Sequence, residues 1–105
     1  MLNRAVHPGV VLKDELEETG VSPTELARQL RVPPNRISQI LRGKRDITAD
    51  TALRLGHWFG TDPQLWLNLQ AQYDLVGAAR ALGEELAGLP TNQDFEDLTR
   101  DSAQS

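Results

Sequence analysis

Cysteine is absent from these 105 residues, so neither a disulfide framework nor a thiolate metal site is available. Long apolar runs are missing too. No stretch approaches the roughly 20 consecutive apolar residues that a membrane span requires, so no membrane partner is expected. The opening, Met1-Leu2-Asn3-Arg4-Ala5-Val6-His7-Pro8, lacks the apolar core of a secretory signal, and a cytoplasmic location is the expectation. The two histidines, His7 and His57, lie fifty residues apart with no carboxylate at ligand spacing, so no metal site is expected. There is no glycine-rich phosphate loop and no GxSxG nucleophile motif. The acidic clusters Asp14-Glu15-Glu17-Glu18 and Glu84-Glu85 read as solvated helix faces rather than acid–base pairs. An enzyme is not expected, nor a cofactor.

What is present is an uneven charge. The chain carries −4 overall, a sum that argues against nucleic acid only if the charges are mixed evenly. They are not. Residues 1–60 hold nine Lys/Arg and seven Asp/Glu (+2), whereas residues 61–105 hold two and eight (−6). Between Arg28 and Arg45 stand Arg28, Arg31, Arg36, Arg42, Lys44 and Arg45 without one acid, a local +6.

Helical spacing accounts for most of the chain, no strand pattern competes, and no repeat is found. The expected fold class is all-α. Pro8 suits a first turn, and Val10, Val11, Leu12 and Leu16 recur until Gly20, giving a first helix over 8–19. Ser22 caps a second helix over 23–30, with Glu25 placed for a capping box and Leu26, Ala27 and Leu30 inward. After Arg31-Val32, Pro33-Pro34 opens a third helix over about 34–42 with Ile37, Ile40 and Leu41 on one face, closed by Gly43. Thr48 caps a fourth that runs to Gly60. Asp62-Pro63 starts a fifth through Leu65, Trp66, Leu69 and Tyr73, extended by Leu75 to Leu82.

Two short helices joined by a tight turn between Ser22 and Arg42 form a helix-turn-helix, which seats its second helix in the major groove. Ile37 and Ile40 face inward, leaving Asn35, Arg36, Ser38 and Gln39 outward. These side chains suit base edges: Asn and Gln pair with adenine N6 and N7, Arg forks onto guanine, and Ser serves several partners. Thr24, Arg42, Lys44 and Arg45 are placed to meet phosphates, fixing the docking register without reading sequence. Double-stranded operator DNA is the expected partner.

One helix in a groove reads few base pairs, so a homodimer is expected, with two copies about one DNA turn apart. The region 65–82 offers the interface through Leu65, Leu69, Leu75, Ala78 and Leu82, although Trp66, Leu69 and Tyr73 serve equally to cover the monomer's own core. Residues 1–87 then form the folded domain and residues 88–105 an acidic, flexible tail that is weakly periodic apart from Phe95 and Leu98.

Several segments together resemble the HigA-type antitoxins, VapI-like members of the Xre/Cro helix-turn-helix proteins: His7-Pro8-Gly9, Ser22-Pro23-Thr24-Glu25-Leu26-Ala27, Asn35-Arg36-Ile37-Ser38-Gln39-Ile40, Gly43-Lys44-Arg45, the run from Ile47 to Leu55, and Trp66-Leu67-Asn68-Leu69-Gln70. The resemblance covers roughly Val6 to Leu75. It implies a five-helix, lambda-repressor-like bundle with an extended C-terminal helix and a short tail. It also implies a homodimer on a palindromic operator, autorepression of its operon, and direct neutralisation of a HigB-like, mRNA-cleaving toxin. The alternatives are a stand-alone Xre-type repressor and a protein-interaction module without specific DNA binding. Pro23 stands where the family commonly has a backbone-touching Gln, and Pro33-Pro34 where it often has Ser and a basic residue. Reading then rests more heavily on Asn35, Arg36 and Gln39.

Overall fold

The computed structural model describes residues 5–104, and side chains as far as Arg100. Its elements are α1 (Pro8–Thr19), α2 (Pro23–Leu30), α3 (Pro34–Leu41), α4 (Ala49–Phe59), α5 (Pro63–Leu82), α6 (Glu84–Gly88) and α7 (Asn92–Gln104), with no strand among the described residues. The first five helices start and stop where their caps demand. Gly20 and Gly60 end α1 and α4 in the left-handed conformation, and Ser22, Thr48 and Asp62 accept backbone N–H groups at the starts of α2, α4 and α5. The third helix closes at Leu41, one residue before its expected end, because Arg42 already leaves helical geometry ahead of the left-handed Gly43.

A single core joins α1 to α5. Leu12 and Leu16, Leu26, Ala27 and Leu30, Ile37 and Ile40, Ile47, Ala52 and Leu55 close around Trp66. The strongest packing is between α4 and α5, followed by α2 on α3 and α1 on α3. The His7-Pro8-Gly9 segment makes the last of these contacts. A Cβ on Gly9 would lie 2.0 Å from the Ile40 carbonyl oxygen, so only glycine lets α1 begin there. His7 caps α1 by accepting the Gly9 N–H at Nδ1, 2.9 Å away, and its ring meets Tyr73 of α5 edge-on.

The expected tail, residues 88–105, is helical from Asn92 to Gln104 as α7, with the short α6 before it. A radius of gyration of 20.2 Å and a long axis of 70 Å exceed the roughly 13 Å radius of a compact chain this size, because α6 and α7 extend from the bundle instead of folding onto it. No residue described in them is buried. Local bonds hold α7: Thr91 and Asp94 cap each other reciprocally at 2.9 and 3.1 Å, and Gln93 donates to Asp97 at 3.0 Å. These pairs are polar, so apolar periodicity gives no hint of them.

Candidate nucleic-acid interface

The α2–turn–α3 unit is built from its turn outward. Ser22 Oγ accepts the Glu25 N–H at 3.1 Å, but the Glu25 carboxylate does not return the bond. It takes Arg28 at 2.5 Å and Gln29 at 2.8 Å instead. Arg31 then adopts a left-handed conformation (φ 59°, ψ 46°) usually left to glycine, and the Val32 N–H closes on the Ala27 carbonyl at 3.0 Å. With Ala27 and Val32 buried, α3 is brought tightly against α2, and Ile37 and Ile40 fix its rotation.

On the other side of α3 the expected residues come together, though not all as free side chains. Asn35 is exposed. Ser38 Oγ donates to the Asn35 carbonyl at 3.3 Å. Arg36 is half-buried and donates from Nη1 to Asp50 Oδ1 at 3.0 Å, so it is held sideways toward α4 and does not simply point outward. Gln39 Oε1 accepts from Arg45 Nε at 2.8 Å. One residue expected to read and one expected to anchor are therefore already bonded to each other. Thr24, Arg42 and Lys44 are exposed around the same edge.

Space also revises the charge. The +6 run is acid-free along the chain, yet Glu25 pairs with Arg28 and Asp50 with Arg36. Arg31, Arg42, Lys44 and Arg45 have no carboxylate within ion-pair distance among the described residues. Hydrogen bonding from Arg54 foremost, with both arginine charges nearby, holds the Asp50 carboxyl below the usual range. The Arg28 hydrogen bond does the same for Glu25.

Two supports of this face carry no role in the sequence reading. Gln70 is buried on α5; its Oε1 accepts the Ile47 N–H at 2.7 Å and its Nε2 donates to Asp74 at 2.9 Å and Asp46 at 3.3 Å. This clamp pins the segment that follows Gly43-Lys44-Arg45 to α5. Its signal is an amide on the same helical stripe as Trp66 and Tyr73, where periodicity asks for an apolar residue. Arg54, a turn beyond Asp50 on α4, donates from Nη1 to the Leu30 carbonyl at 2.7 Å, covering the C-terminus of α2. The i, i+4 spacing of Asp50 and Arg54 is its signal.

Of the five interface candidates on α5, Leu65, Leu75, Ala78 and Leu82 are exposed, Leu75 by 54%. Leu69 packs against the monomer's core with the buried Trp66, so the alternative reading holds for that residue.

The fold and the α2–α3 geometry define a helix-turn-helix protein. Residues 12–66 match the helix-turn-helix family. An addiction-module antidote protein of the HigA family from Coxiella burnetii superposes with a TM-score of 0.79 at 46% identity, over 84% of this chain and 97% of that one. Pseudomonas aeruginosa antitoxin HigA, solved with the higBA promoter, superposes at 0.80 with 42% identity over 85% and 98%. Virulence-associated protein I of Dichelobacter nodosus is 54% identical over 72 residues, 68% of this chain and 67% of its own length. The chain belongs to the HigA family of helix-turn-helix antitoxins, which are not enzymes. Among the described residues no helix is long and apolar enough to cross a membrane.

Proposed function

We propose that this protein binds operator DNA as a homodimer, represses its own operon, and neutralises an mRNA-cleaving, HigB-like toxin by direct contact in the cytoplasm. The observation that carries the DNA half is the meeting of a polar α3 face with an edge of cations that have no carboxylate partner among the described residues. Asn35, Arg36, Ser38 and Gln39 read bases; Thr24, Arg42, Lys44 and Arg45 hold phosphates. The Gln39–Arg45 bond couples the two roles. The Pseudomonas aeruginosa antitoxin HigA solved with the higBA promoter supports this reading.

Dimerisation uses Leu65, Leu75, Ala78 and Leu82, which are among the apolar residues that α5 leaves exposed. The toxin half rests on family membership and on charge: the acidic second half, with α7 beyond a folded domain ending near residue 87, suits a basic partner.

Binding to the DNA upstream of the gene tests the first half. Affinity is expected to exceed that for a scrambled duplex and to fall steeply as salt rises; equal binding to both removes the repressor. Co-expression with the product of the neighbouring gene tests the second. Rescue from its toxicity is expected, and a neighbour that is harmless when expressed alone leaves a stand-alone repressor.

A further inference from the structure

Arg36 is the one residue of the reading face tied to a carboxylate among the described residues. That carboxylate comes from outside the helix-turn-helix. Asp50, in the first turn of α4, receives Arg36 Nη1 at 3.0 Å and Arg54 Nε at 2.8 Å on the same oxygen, Oδ1. Arg54 is itself held by the Leu30 carbonyl. A chain of polar contacts thus runs from the end of α2, across α4, to the outer side of α3. Stability does not explain it, because Asp50 is 57% exposed and ion pairs so open to water contribute little.

We propose that Asp50 is a specificity-determining residue, which holds the Arg36 guanidinium for a base edge and keeps it off neighbouring phosphates. The inference rests on α3 being the DNA-reading helix. A guanidinium presents five donors in a rigid fork. Asp50 takes one, and the rest suffice for a bidentate bond to guanine O6 and N7. Holding the fork beforehand lowers the ordering cost of binding. The carboxylate also repels phosphates, which penalises the sequence-blind docking in which Arg36 merely pairs with backbone. Gln39, held by Arg45, lacks this second effect because its amide is neutral. With its carboxyl held below the usual range by Arg54 first, Asp50 keeps its charge at neutral pH.

Asp50→Asn preserves shape and removes the charge. Full-length wild-type and variant proteins are each used to select duplexes from a randomised pool, and the winning duplex is then titrated against a scrambled one over a salt series. The wild type enriches a site; Asp50→Asn loses preference at one position per half-site, and its ratio of selected to scrambled affinity falls about tenfold. Scrambled binding tightens, with a salt slope steeper by about one. Arg36→Ala loses preference at the same position, and adding Asp50→Asn to it changes the ratio no further. Tightening on both duplexes with the ratio intact overturns the proposal, leaving a mere field effect. Loss on both duplexes alongside a lowered melting temperature also overturns it, leaving a structural role. If the wild type enriches a site and Arg36→Ala keeps full preference, only the role of Asp50 falls. If the wild type enriches nothing, the DNA-reading function falls with it.

Discussion

The bundle α1–α5 and the extension α6–α7 are both helical, but for opposite reasons. In the bundle each helix carries an apolar stripe that closes around Trp66, and its polar bonds mostly finish the ends. In the extension Phe95 is 65% exposed and Leu98 68%, and the helix stands on a reciprocal cap and side-chain pairs. A 13-residue helix held that way is marginal in water. The difference teaches that helix content alone does not mark a folded unit; burial does. Trp66→Ala strikes the bundle where the difference is greatest. It should cost about 3–5 kcal/mol, read by thermal or urea unfolding; a loss under 1 kcal/mol would mean the core does not depend on its central side chain.

The same contrast explains what could be read from the chain. Caps and apolar spacing gave α1 and α2 to the residue, because Gly20, Ser22 and Pro23 act locally and Leu12, Leu16, Leu26 and Leu30 act by period. The polar face of α3 was legible for the same reason: Ile37 and Ile40 define its opposite. Three things were not. The capture of Arg36 by Asp50 links residues fourteen apart, and the Gln70 clamp links residues twenty-three apart; no local pattern encodes such pairings. The α7 helix was missed because its signal is polar pairing, which also suits a solvated loop.

Gln70 offers a sharper test within the bundle, since its clamp joins the core to the segment beside the proposed DNA face. Gln70→Leu leaves the Ile47 N–H buried without an acceptor, at a cost of about 1–3 kcal/mol. Because the clamp sits beside Lys44 and Arg45, DNA binding well below the melting temperature should weaken alike on selected and scrambled duplexes. A fall in stability with unchanged DNA affinity would confine Gln70 to the fold.

Arg31 tests whether the turn stores strain. A non-glycine residue in the left-handed region costs about 1–2 kcal/mol, while glycine adds about 0.4–1 kcal/mol of unfolded-chain entropy to be lost. The strain term is the larger, so Arg31→Gly should stabilise by about 0.5 kcal/mol. Urea midpoints can resolve that gain, and a clear loss would show that the Arg31 side chain contributes more than its backbone costs.

The smallest expected effect bears most directly on the opening contrast. Phe95 is as large an apolar group as the bundle's own core residues, but it meets water on most of its surface, so Phe95→Ala removes little burial. The expected change in bundle stability is within about 0.5 kcal/mol, and a chain ending at Gly88 should melt at the same temperature and bind DNA with the same affinity. The two regions are independent on that outcome, and α7 is left as surface available to a partner. A drop in melting temperature on either change would mean that Phe95 and Leu98 are covered in solution, and the extension would then count as part of the folded unit.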